Sequence, residues 1–107
     1  MAPDATVAIV RRYLAALPAY GIHPVRAVVF GSWAKGTADE WSDIDVIVVA
    51  PEFDESRALA LVEKLWLATE AADNRVEPIP CGQREWETDG SRPILEIARR
   101  EGLEVAA

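Results

Sequence analysis

The feature that most constrains the fold of this chain is Asp43-Ile44-Asp45, which runs directly into Val46-Ile47-Val48-Val49-Ala50. An unbroken apolar run rich in β-branched residues favours an extended strand. In a strand, residues i and i+2 project to the same face. Asp43 and Asp45 therefore stand side by side, continued by Ile47 and Val49, while Ile44, Val46 and Val48 make the opposite face. Two neighbouring carboxylates repel each other, and a fold tolerates them when a cation or a proton neutralises them. An oxygen-only pair suits Mg²⁺, which keeps several waters and takes one or two protein carboxylates together with substrate phosphates. On spacing alone, an acidic turn leading into a strand reads the same way, because the segment DEWSDID carries four acids.

Upstream, Val25 to Phe30 (VRAVVF) reads as a short strand, apolar on both faces apart from Arg26. It delivers the chain to Gly31-Ser32. Glycine lets the backbone approach a bound group closely, and the serine hydroxyl adds a donor. Ser32 to Lys35 reads as the start of a short helix whose free N–H groups can face phosphate oxygens, with Lys35 adding a point charge. Taken alone, Gly31-Ser32 is equally an ordinary tight turn. Trp33 and Trp41 read as partly buried packing residues rather than base-stacking platforms. After the polar loop Ala38 to Ser42 the chain enters the second strand. If the two strands pair antiparallel, the carboxylates face the end of the first.

Downstream, Arg75 to Pro80 (RVEPIP) reads as a third strand. Pro78 and Pro80 remove two ladder donors, which places this strand at an edge or ends it there. Alternation sets Glu77 on the face of Ile79 and not of Val76. An acid among apolar strand residues is costly unless it is paired or solvated; a solvent-facing edge glutamate satisfies that condition as well.

As a unit, Gly31-Ser32, a gap of ten residues and Asp43-Ile44-Asp45 resemble the signature of the nucleotidyltransferase superfamily related to DNA polymerase beta. Within it, GSWAKG followed by SDIDVIVV is similar to the minimal nucleotidyltransferases, the MNT group. The resemblance implies an α/β (α+β) fold, with a small mixed or antiparallel sheet of three to four strands and helices packed on one side. It also implies a third carboxylate on a later strand beside the Asp-x-Asp strand, the place Glu77 fits. Asp43, Asp45 and Glu77 would hold one or two Mg²⁺ ions. Asp43 and Asp45 would bridge them, and Glu77 would bind the nucleophile-side ion or take the proton. Gly31, Ser32 and Lys35 would hold the β- and γ-phosphates of a nucleoside triphosphate, ATP being the expected donor. Family members commonly carry Arg near Lys35; lysine keeps the charge and loses the bidentate fork. An acceptor hydroxyl would attack the α-phosphate and pyrophosphate would leave.

Larger relatives of this kind add a helical domain that holds the acceptor, so at this length the acceptor pocket is expected from a partner or a second copy. MNT proteins are typically paired with a HEPN-domain toxin. The resemblance therefore implies an antitoxin that transfers AMP to a tyrosine of that partner. Two other classes stand beside it: an antitoxin that blocks its partner by contact alone, and transfer to a small molecule such as an aminoglycoside or to a tRNA end.

The rest of the chain reads as scaffold. A helix opens at Pro3-Asp4, shows Val7, Val10, Leu14 and Leu17 at helical spacing, and closes at Pro18 and Gly21. His23, next to Pro24, reads as a surface residue and not as a base. Pro51 ends the second strand, and Asp54 or Ser56 then caps a long helix, about Glu55 to Ala72. Its stripe of Leu59, Val62, Leu65, Trp66 and Thr69 is assigned to the core. Gly82 to Thr88 is a short helix carrying Trp86. Pro93 to Glu101 is the last helix, with Arg99 and Arg100 where its dipole favours cations. Gly102 stops it, and Leu103-Glu104-Val105 pairs weakly or packs.

With 107 residues and no internal break in composition, the expectation is one domain over 1–107. A net charge of −7 argues against direct nucleic-acid binding and against anionic membrane surfaces. It leaves a nucleotide open, because bound metal supplies local positive charge. Cys81 is the sole cysteine, which rules out an internal disulfide and agrees with a reducing cytosol. With only His23 beside it, a four-ligand zinc site is out of reach. No apolar run approaches the ~20 residues that span a bilayer. The N-terminus lacks the pattern of a signal peptide, with Arg11 and Arg12 inside its apolar periodicity. The expectation is a cytoplasmic protein.

Overall fold

Strands β1 (Arg26–Phe30) and β2 (Ile44–Val49) are almost entirely buried, because neither has a polar face for water to wet. They pair antiparallel, Val28 opposite Ile47 and Phe30 opposite Asp45. β3 (Val76–Cys81) runs parallel to β2, and β4 (Leu103–Ala106) antiparallel to β1, giving the order β3-β2-β1-β4. The computed structural model describes residues 4–31, 43–55, 58–88 and 92–107. The mixed four-stranded sheet with α-helices is the fold the family resemblance implies. The proline-bearing strand is indeed at an edge, where its missing N–H groups cost no ladder bonds.

One expected detail is overturned: the helices do not pack on one side. Helix α1 (Asp4–Ala16) and helix α3 (Leu59–Leu67) cover one face, where Val10, Tyr13, Leu14 and Leu65 pack on Val29, Ile44, Val46, Val48 and Val76. Helices α4 (Gln83–Thr88) and α5 (Pro93–Glu101) cover the other. There Trp86, Ile94, Leu95 and Ala98 pack on Val28, Phe30, Ile47 and Val49. The reason is already in VRAVVF and IDVIVV: central strands apolar on both faces need two covers, the pattern of a buried layer between helices.

The long helix expected over Glu55 to Ala72 is also divided. Helix α2 is Glu52–Glu55, α3 begins at Leu59, and a 3₁₀ turn, Ala68–Ala71, follows it. The break is seen at Ala58, whose φ of −55° and ψ of 144° are extended and which gives α3 no side-chain cap. Asp54 caps a different helix. Its carboxylate accepts the backbone N–H groups of Arg84 and Glu85 at 3.1 and 3.4 Å, tying α2 to the start of α4. Gly82 makes room for this, since a Cβ there would overlap Asp54 Oδ1. Ser56 lies outside the described residues.

The stripe assigned to the core on this segment is only partly core. Leu65 and Thr69 are buried, but Leu59 is 73% exposed and Trp66 47%. The buried face is formed instead by Leu61, Leu65, Ala68 and Ala72. On α1, Tyr13 is fully buried and donates its hydroxyl to the carbonyl of Leu65, locking α1 to α3. Burial pushes the Tyr13 phenol far above its ordinary pKa. Among the described residues, no helix is long and apolar enough to cross a membrane.

Candidate active site

β1 ends at Phe30 and turns at Gly31, whose φ of 74° is in the left-handed region that L side chains avoid. Gly31 also lies directly against the next strand: a Cβ at this position would stand 2.6 Å from Asp45 Oδ2. Glycine is thus required twice over, by the turn and by the closeness of a carboxylate.

Asp45 is the second residue of β2, half-buried, with Phe30 across from it on β1 and Glu77 across from it on β3. Alternation does the rest. The face of Asp45 continues with Ile47 and Val49, and the face of Glu77 with Ile79 and Cys81, all on the α4–α5 side. Two strands that run parallel in this register aim their acids from the same end of the sheet toward the same space. Asp43 precedes β2 and is exposed.

The electrostatics show how tightly these acids are placed. Burial raises the pKa of Asp45, a hydrogen bond with Glu77 draws it partly back, and the charge of Asp43 raises it again. Glu77 is raised first by burial and then by the charges and hydrogen bonds of Asp43 and Asp45. Every influence on Glu77 favours its protonated form, whereas the Glu77 contact favours the ionised form of Asp45. Among the described residues no basic side chain forms an ion pair with any of the three acids.

Of the other expected site residues, Ser32 and Lys35 lie outside the described residues, as do Trp33 and Trp41. His23 is exposed and bonds Glu52 through its backbone N–H and its ring, both at 3.0 Å, which is a loop anchor and no part of this site. Sequence reasoning passed over Arg75. The backbone N–H of Ile44 donates to the Arg75 carbonyl at 2.8 Å, which sets Arg75 beside the entrance of β2. Its guanidinium is gripped by Asp73 from Nε and Nη2 at 3.1 and 2.9 Å. The Asp-x-Arg spacing was the available signal. A cavity of about 500 Å³ lies among Arg11, Leu14, Pro18 and His23, and none of the expected site residues lines it.

The donor set fits a hard cation. Asp43, Asp45 and Glu77 offer oxygens only; burial first, and neighbouring carboxylate charge after it, raises the pKa of Asp45 and Glu77, and a divalent ion would oppose that shift. Among the described residues, no group of three or more His, Cys, Asp or Glu side chains is placed to hold a metal ion by itself. An open arrangement is what Mg²⁺ uses when substrate phosphates complete its shell.

Strand β1, the Gly31 turn and the facing Asp45 and Glu77 come together on a mixed sheet covered by helices on both faces. A family model described as nucleotidyltransferase domain matches residues 10–98, and the chain belongs to that family, within the polymerase beta-like superfamily. The match runs from α1 into α5 and so takes in β1, β2 and β3 whole. No curated protein matches the chain.

Proposed function

We propose that this chain is a minimal nucleotidyltransferase that works with Mg²⁺, transfers AMP from ATP to a tyrosine hydroxyl of a HEPN-domain toxin, and thereby acts as its antitoxin. The transfer chemistry rests on one observation: Asp45 faces Glu77 across β2 and β3 while the backbone of Gly31 lies against the Asp45 carboxylate. What supports the partner is the likeness of GSWAKG and SDIDVIVV to the MNT group.

Asp43, Asp45 and Glu77 would hold the ion or ions from one side. Bound Mg²⁺ would supply the positive charge that lowers the pKa of the acceptor hydroxyl and neutralises the triphosphate. Gly31 would let phosphate oxygens approach the backbone, with Ser32 and Lys35 completing that cradle. The acceptor oxygen forms a bond to the α-phosphorus, the α–β bridging P–O bond breaks, and pyrophosphate leaves. Glu77, ionised, would bind the nucleophile-side ion or take the acceptor's proton.

The experiment is to incubate the protein with α-labelled ATP, Mg²⁺ and the product of the adjacent gene. Label on that protein, lost with Asp45→Asn, is the expected result. If no nucleoside triphosphate labels it although the two proteins bind, the reading fails in favour of an antitoxin that acts by contact alone.

A further inference from the structure

Helix α3 carries apolar side chains on two sides. One side is core, as described. The other consists of Leu59, Val62, Glu63, Trp66, Leu67 and Glu70, spaced three and four apart, and these residues line an open groove of about 690 Å³ with Thr69 and Asn74. Leu59, Trp66 and Leu67 are 73%, 47% and 52% exposed. Single exposed apolar residues are ordinary on any protein, but several in one helical register form a contiguous face of the kind that binds helices.

We propose that this face docks an amphipathic helix of a partner protein, one whose apolar stripe is flanked by lysine or arginine. The charge of the groove selects the occupant. Glu63 and Glu70 stand within its walls, and Lys64, the basic residue of α3, is not part of its lining. A second copy related by twofold symmetry would set these acids against their own counterparts on a chain of net charge −7. An anionic bilayer or a nucleic acid meets the same repulsion. Cationic flanks on an apolar stripe satisfy both the acids and the exposed leucines. Helix α3 and the 3₁₀ turn after it span roughly 20 Å, enough for about four turns of a docked helix. The inference rests on this surface alone and stands whether or not the carboxylates transfer a nucleotide.

The test uses two labelled helical peptides with the same leucine stripe, one flanked by lysine and one by glutamate. Binding to the full-length protein is followed by fluorescence anisotropy. The lysine-flanked peptide should bind, more weakly as salt is raised. Leu59→Glu should weaken it by about tenfold or more, with circular dichroism confirming that the fold is kept. The double variant Glu63→Lys, Glu70→Lys should reverse the preference toward the glutamate-flanked peptide. Binding of neither peptide, or equal binding of both, overturns the proposal. So does sedimentation showing a wild-type dimer that Leu59→Glu converts to monomer, since the occupant would then be a second copy.

Discussion

Replacing Gly31 with alanine asks whether the closeness of Gly31 to Asp45 matters to the chemistry or only to the turn. Two costs are separable. The first is backbone strain: a φ of 74° costs an L residue about 1–2 kcal/mol, offset by the ~0.4–1 kcal/mol that alanine contributes by restricting the unfolded chain. The second is local. The new Cβ would lie 2.6 Å from Asp45 Oδ2, so the carboxylate must retreat by about 0.8 Å to reach ordinary contact at 3.4 Å. That movement displaces the Asp45 carboxylate from its place opposite Glu77. A displacement near 1 Å at reacting groups can cost about a hundredfold in rate, equivalent to ~2.7 kcal/mol of barrier. Gly21 supplies the control. Its φ is 83°, with nothing within 4 Å of a Cβ built there, and it caps the 3₁₀ turn Leu17–Tyr20. Gly21→Ala carries the strain without the collision. Thermal melts should show both variants destabilised by about 1.6 kcal/mol or less, a shift of several degrees at most. Label incorporation from ATP should fall about a hundredfold for Gly31→Ala and stay near wild type for Gly21→Ala. Equal activity of the two variants would refute the reasoning, because the Gly31–Asp45 contact would then have no catalytic consequence.

Without metal, Asp45→Asn and Glu77→Gln should each make the protein more stable at neutral pH. The raised pKa values mean that the folded state holds more protons than the unfolded one from about pH 4 upward, so stability falls as pH rises through that window and the penalty is complete above it. Urea unfolding should show the gain at pH 7.5 and its loss below pH 4; a gain that persists at low pH contradicts the account. Tyr13→Phe removes the donor to the buried Leu65 carbonyl and should cost about 1 kcal/mol in the same assay, and an unchanged midpoint would show that the bond contributes nothing net. Asp54→Ala should cost about 1 kcal/mol and expose the Arg84 and Glu85 amides to hydrogen exchange, since those are the groups Asp54 accepts. Loss of protection at Leu61 and Val62 instead would mean that it caps α3 after all.

The strands, and the faces on which Asp45 and Glu77 stand, were legible because their signals are local and periodic. The period-two pattern of Ile44 to Val49 fixed which residues face together, and the same rule placed Glu77 with Ile79. The prolines of β3 marked an edge before any topology was known. What could not be read was set by distance along the chain. Asp54 looked like the cap of the helix that follows it, but its carboxylate reaches N–H groups 30 and 31 residues away. The register of β2 against β3, which brings Asp45 to Glu77, is parallel pairing across a helical crossover and leaves no trace in either strand alone. Helix α3 misled for a different reason. Its apolar residues occupy two faces, and periodicity counts them without saying which face meets the core.

The central claim is that Asp43, Asp45 and Glu77 form one cation site, and Mn²⁺ binding followed by electron paramagnetic resonance tests it most directly. In the presence of a non-hydrolysable ATP analogue, wild-type protein should bind Mn²⁺, and Mg²⁺ should compete for the same site. Asp45→Asn and Glu77→Gln should each weaken that binding by about tenfold or more, consistent with the loss of a charged ligand. If Glu77→Gln binds Mn²⁺ as tightly as wild type, Glu77 is an edge glutamate and the three-carboxylate account is wrong.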